Sequence, residues 1–167
     1  MKNLLQLNKA KKMLGCYAKK YHITEKELAK AMNITIFTLR KIKERHNLAS
    51  ESWCYVYSLA RLSDQCFNNP EHKISSINKD WNKVAEIQLA QKVFNKNWET
   101  KEIAKLLKIP YSTLIRYRTR ISDFPFLPWK VIKKMALLSQ TLIDIEKYQQ
   151  KKLNDYRDNL ICNIEKR

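Results

Sequence analysis

Apolar residues recur along this chain at helical spacing. Leu14, Tyr17, Ala18 and Tyr21 stand at i, i+3, i+4 and i+7, which predicts one buried face on an amphipathic helix. Thr24-Glu25-Lys26-Glu27 is a capping-box pattern, in which the threonine hydroxyl and the glutamate three residues on satisfy each other's free amides. A short helix follows it, a break falls at Asn33, and a second helix starts at Ile36. A closing helix carries Trp53, Val56, Leu59 and Ala60. Further on, Trp81, Ala85, Leu89 and Val93 predict another helix at i, i+4 spacing. From Trp129 to Glu165 no proline or glycine stops a helix. Leu142 and Ile145, then Leu153, Tyr156, Leu160 and Ile164, form a stripe interrupted by the polar run Gln149-Gln150-Lys151-Lys152.

These patterns occur twice. Shifted by 75 residues, Lys26-Glu27-Leu28-Ala29-Lys30 falls on Lys101-Glu102-Ile103-Ala104-Lys105. Ile34 falls on Ile109, Thr38-Leu39 on Thr113-Leu114 and Arg45 on Arg120, so that eight of twenty positions from 26 to 45 are identical. One inserted residue later the match resumes: Trp53 falls on Trp129, Leu59-Ala60 on Met135-Ala136 and Leu62-Ser63 on Leu138-Ser139. The period is too long for a solenoid and reads as two copies of one small domain. The division is a first domain over 1–67, a polar linker over 68–79, a second domain over 80–145 and a helical tail over 146–167.

Leu28-Ala29-x-x-Met32-Asn33-Ile34, with Leu39 and Ile42 following, resembles a helix-turn-helix. So does Ile103-Ala104-x-x-Leu107-Lys108-Ile109, followed by Leu114 and Tyr117. Small Ala29 or Ala104 lets the second helix cross closely, and Ile34 or Ile109 plugs the corner. With the closing helices at Trp53 and Trp129, each copy is similar to the DNA-binding domains of the Cro and lambda-repressor type. The resemblance implies an all-α fold of two tandem helix-turn-helix domains with a C-terminal helical extension. It covers both copies and leaves the tail unexplained. That family usually places glycine at the turn, where this chain has Asn33 and Lys108. Lysine avoids left-handed backbone, and Pro110 follows, so the second turn is expected to differ in shape from the first.

Composition narrows the function. The chain of 167 residues has 33 Lys+Arg against 16 Asp+Glu, a formal charge of +17. Such a field concentrates polyanions, nucleic acid foremost. Nearly all of it lies on the two copies: fourteen basic against six acidic residues up to 75, then thirteen against six up to 145, and six against four in the tail. The single glycine, Gly15, excludes phosphate-cradling glycine-rich loops. No apolar run is long enough to span a bilayer, so no membrane partner is expected. Cys16, Cys54, Cys66 and Cys162 are scattered, as are His22, His46 and His72; a metal site needs clustered ligands, and none is expected. The cysteines read as reduced thiols of a cytoplasmic, nucleoid-associated protein. No nucleophile, carboxylate pair or cofactor motif stands out, so neither an enzyme nor a cofactor is expected.

The resemblance implies that the second helix of each pair enters the major groove. In copy one the outward positions are Thr35, Phe37, Arg40, Lys41 and Glu44; in copy two they are Tyr111, Ser112, Ile115, Arg116 and Thr119. Arg40 and Arg116 suit guanine, while Phe37 and Ile115 suit thymine methyls. Lys43, Arg45, Arg118 and Arg120 suit phosphates. At the start of the first helix of each pair, Thr100 suits a phosphate and Glu25 repels one. The scaffolds agree and the outward residues differ, so an asymmetric or direct-repeat target is expected rather than a simple palindrome. The expected function is that of a sequence-specific duplex-DNA-binding transcriptional regulator. Its further partners would be RNA polymerase or a regulatory protein, and a second copy through the C-terminal helix. The alternatives are an accessory protein of a phage or plasmid process (replication, packaging or excision) and a basic helical adaptor for protein or RNA.

Overall fold

A computed structural model describes residues 4–45, 47–68, 77, 80–94 and 98–165. Most of the linker, His46, His72 and the side chains of Leu160, Cys162 and Ile164 lie outside what it describes. The described residues are all-α, with helices α1 (Leu4–Lys20), α2 (Glu25–Met32), α3 (Ile36–Glu44), α4 (Trp53–Asn68), α5 (Ala85–Gln91), α6 (Thr100–Leu107), α7 (Tyr111–Thr119) and α8 (Trp129–Glu165). Short 3-10 turns precede α4 at Leu48–Ser50 and α8 at Ile121–Phe126, and others flank α5 at Trp81–Lys83 and Lys92–Phe94.

Copy one comprises α1–α4. Its first helix buries Leu7, Ala10, Leu14 and Tyr17, a stripe that packs on α4. Thr24 caps α2 in a complete capping box: the Glu27 amide donates to its hydroxyl at 3.2 Å, and its own amide donates to the Glu27 carboxylate at 2.8 Å. Leu39 and Ile42 seat α3 on the core and are each 1% exposed. Burial of this kind contributes roughly 1.5–3 kcal/mol per side chain.

Copy two comprises α5–α8 and repeats the arrangement, with one departure from the sequence pattern. The face that α5 and its flanking turn bury is Ile87, Ala90 and Val93, while Ala85 is exposed and Trp81 and Leu89 are half-buried. Of the predicted i, i+4 ladder, Val93 is buried and Trp81 and Leu89 pack against the core, but Ala85 points to solvent and Ile87 and Ala90 take the buried positions. The cause is that the first helix is broken into 3-10, α and 3-10 pieces, which do not hold one 3.6-residue phase. Trp53 and Trp129 are core residues, whereas Trp81 and Trp98 are only half-buried.

The two copies are docked on each other. Ser52 and Pro128 face each other as an isolated antiparallel bridge. The Trp53 amide donates to the Leu127 carbonyl at 2.8 Å, and the Trp129 amide donates to the Glu51 carbonyl at 2.7 Å. In the 76-residue register of the second half of the repeat, 51, 52 and 53 are the equivalents of 127, 128 and 129. The two bonds are thus the same bond made in both directions, and a local two-fold axis passes between Ser52 and Pro128. Pro128 is tolerated there because the facing pair in this kind of bridge uses neither residue's amide. Helices α4 and α8 also meet across this axis, and each copy's 3-10 turn touches the other's closing helix. One continuous hydrophobic core results, running from Leu7 to Ala136.

α8 continues as a single helix to Glu165. Its side chains from Lys147 to Asp158 are exposed, among them Tyr148, Leu153 and Tyr156.

Candidate nucleic-acid interface

Both helix pairs turn on the same corner. Asn33 and Lys108 each have φ 55° and ψ 47°, in the left-handed region. The Ile34 amide donates to the Ala29 carbonyl and the Ile109 amide to the Ala104 carbonyl, both at 3.0 Å. The amides of Asn33 and Lys108 reach Lys30 and Lys105, both at 3.1 Å. This six-to-one, five-to-two pattern closes a helix C-terminus. The expectation that the second turn differs in shape is therefore corrected. Bonding of the corner and burial of Leu107 and Leu114 on either side outweigh the backbone cost at Lys108. Pro110 is accommodated as the residue before α7, where no amide is needed.

The corner presents α3 and α7 with their outward residues in solvent. In copy one Phe37, Arg40, Lys41, Glu44 and Thr35 are exposed, Phe37 to 66%. The Lys41 ammonium lies 4.4 Å from the Phe37 ring centre. Thr35 is the α3 cap; its hydroxyl accepts from the Thr38 amide at 3.1 Å and lies 2.9 Å from the Thr38 hydroxyl. In copy two Tyr111, Ser112, Arg116 and Thr119 are exposed, while Ile115 is half-buried. Thr119 donates its hydroxyl back to the Arg116 carbonyl at 3.0 Å. Arg118 and Arg120 are exposed beside them.

Ion pairing separates the two faces. Glu25, the first residue of α2, takes Arg40 Nε at 2.8 Å on one carboxylate oxygen and Lys43 Nζ at 2.6 Å on the other. Hydrogen bonds from Lys43 and then Arg40 hold its carboxyl down at about 2, below the usual carboxylate range. The equivalent of Glu25 is Thr100 and that of Lys43 is Arg118, and there the contact persists without the charge: Arg118 Nη1 donates to the Thr100 hydroxyl at 3.1 Å. Arg45 is ion-paired to the buried carboxylate of Glu51, next to the inter-copy bridge. It is thereby tied to a residue of the junction, although its side chain stays half exposed. Lys11 donates to the carbonyls of Ile42 at 3.1 Å and Arg45 at 2.6 Å, a cation at the negative end of α3.

None of these pairings was visible in the sequence. Glu25 and Arg40 are fifteen residues apart, and only the helix crossing joins them. One signal was present for the junction: a proline directly before each repeat's closing tryptophan in one copy and a serine in the other, at register-equivalent positions.

Among the described residues, no three His, Cys, Asp or Glu side chains group as a metal site would require. Burial pushes the Cys54 thiol up to about 12, so it is neutral and unreactive in the fold. No described helix is long and apolar enough to cross a membrane. No family model, curated protein or solved structure matches the chain.

Proposed function

We propose that this chain binds duplex DNA through α3 and α7 and acts as a sequence-specific transcriptional regulator. The observation that carries the reading is the pair of identical left-handed corners, each presenting an exposed basic helix, docked about a local two-fold. On this reading the same two-fold relates α3 to α7, so that both helices address one DNA surface. B-DNA has matching local two-folds, which is why paired reading helices meet inverted half-sites. The outward residues of α3 and α7 differ, so the half-sites are unlike in sequence. On this reading the two unlike half-sites stand as an imperfect inverted repeat, spaced by the docked copies.

Base contacts fall to Arg116, Ser112 and Tyr111 on α7 and to Arg40, Lys41 and Phe37 on α3; Arg118, Arg120 and Lys43 hold phosphates. The exposed stretch 147–158 of α8 serves self-association. Selection from a random duplex pool tests the function. One motif with two unlike sub-sites in inverted orientation is expected, with its genomic occurrences upstream of genes. Recovery of no motif from a folded chain refutes the reading and favours an adaptor for protein or RNA.

A further inference from the structure

The two faces look equal when charge is counted along each helix. Residues 36–45 hold four cations and one acid, and residues 111–120 hold three arginines and no acid, a net +3 each. Tertiary pairing breaks this tie. Copy one places three acids on or against its reading helix: Glu25 on Arg40 and Lys43, Glu51 on Arg45, and Glu44 on α3 itself. At the equivalent positions copy two has Thr100, Leu127 and Thr119, all neutral. The corner residue adds to the contrast, since Asn33 is matched by Lys108. Among the described ion pairs, Arg40, Lys43 and Arg45 of copy one are therefore held by carboxylates, while none of Arg116, Arg118 and Arg120 is.

Resting on the DNA-binding reading above, we propose that the copies are functionally unequal. The α6–α7 face is the principal surface for the phosphodiester backbone. The α2–α3 face is held at low affinity by Glu25, which occupies the guanidinium and ammonium that DNA would need. Glu25 is a positioning residue here: it acts by directing Arg40 away from a base and Lys43 away from a phosphate, and its own charge repels a phosphate. Its carboxyl is ionised at neutral pH, and hydrogen bonds from Lys43 and Arg40 hold it lower still, at about 2. For Arg40 to reach a base, the ion pair must first open, and the cost of opening is subtracted from the binding free energy of copy one alone. Arg116 carries no such tie among the described contacts; its guanidinium lies 5.9 Å from the neighbouring Tyr117 ring. The arrangement makes copy two the anchor and copy one the discriminating half, which engages only where a sub-site repays the exchange.

The test measures the full chain on its selected duplex at several salt concentrations. Folding of each variant is verified by circular dichroism. Replacing the anchor, Arg116→Ala, is expected to weaken binding roughly tenfold or more, and Arg40→Ala about threefold or less. Glu25→Gln frees Arg40 for a base and Lys43 for a phosphate and is expected to tighten binding about tenfold. It should also steepen the salt dependence by about one unit of slope, since each neutralised phosphate contributes about 0.9. Thr100→Glu installs the acid in copy two and is expected to weaken binding and flatten the slope. The inference is overturned if Arg40→Ala costs as much as Arg116→Ala, or if Glu25→Gln leaves affinity and slope unchanged. Absence of any binding by the unaltered chain at low salt overturns the DNA-binding reading itself, which is a separate result.

Discussion

Lys108 is the position where this fold sets local preference against architecture most openly. It sits at φ 55° and ψ 47°, and in that region the Cβ of an L-residue crowds the following carbonyl, at a cost of roughly 1–2 kcal/mol. Glycine has no Cβ and escapes this cost, but it gives up roughly 0.5–1 kcal/mol through the greater freedom of the unfolded chain. The Lys108 side chain is exposed, so its removal empties no cavity. Lys108→Gly is therefore expected to stabilise the protein by about 0.5–1 kcal/mol, or about 1–4 °C in Tm for a chain of this length. Two controls isolate the cause. Lys108→Ala removes the same side chain but keeps Cβ, and should bring no gain. Asn33→Gly makes the same exchange at the equivalent corner, where asparagine already tolerates the conformation, and should gain less than Lys108→Gly. Urea unfolding monitored by circular dichroism measures all three. If Lys108→Gly is neutral or destabilising, or if Lys108→Ala gains as much, the backbone argument fails.

Two further outcomes follow from the same geometry. The carboxyls of Glu25 and Glu27 are both held below their ordinary value, the first by Lys43 and Arg40 and the second by the backbone amide and then the hydroxyl of Thr24. A group depressed in the folded state contributes stability that is present above its unfolded pKa of about 4.5 and is lost as pH falls through the folded value. Unfolding midpoints should therefore drop from about pH 5 towards pH 2, and Glu25→Gln should flatten that acid limb; an unchanged limb would show that the ion pairs contribute nothing. For the tail, a chain ending after Lys147 should sediment as a lighter species than the full chain, because it lacks the exposed Tyr148, Leu153 and Tyr156; equal assembly states would remove the self-association role.

Much of the fold was legible in residue order. The capping box at Thr24, the break at Asn33, the start of α3 at Ile36 and the uninterrupted helix from Trp129 all appear where local chemistry places them. They are legible because caps, apolar spacing and the absence of breakers act within one or two turns of chain. The phase of α5 was not, because its short pieces are oriented by α8 and the neighbouring turns and not by their own periodicity. The outward residues of α3 and α7 were readable except for half-buried Ile115, since the buried face of a helix fixes its opposite face. The state of those residues was not: Arg40, Lys43 and Arg45 looked like three free cations and are three partners of carboxylates.

Sequence alone thus determined that the chain is helical and doubled, and that each copy offers one basic helix; repeated spacing and repeated charge suffice for that. Tertiary structure decided how the copies relate and how they differ. The two-fold at Ser52 and Pro128 exists only because the hydrogen bonds of Trp53 and Trp129 close in both directions. The inequality of the two faces exists only because helix crossing brings an acid to one of them and a threonine to the other. Both are contacts between residues far apart in sequence, and a distance in space between such residues is set by the packed core, not by their order in the chain.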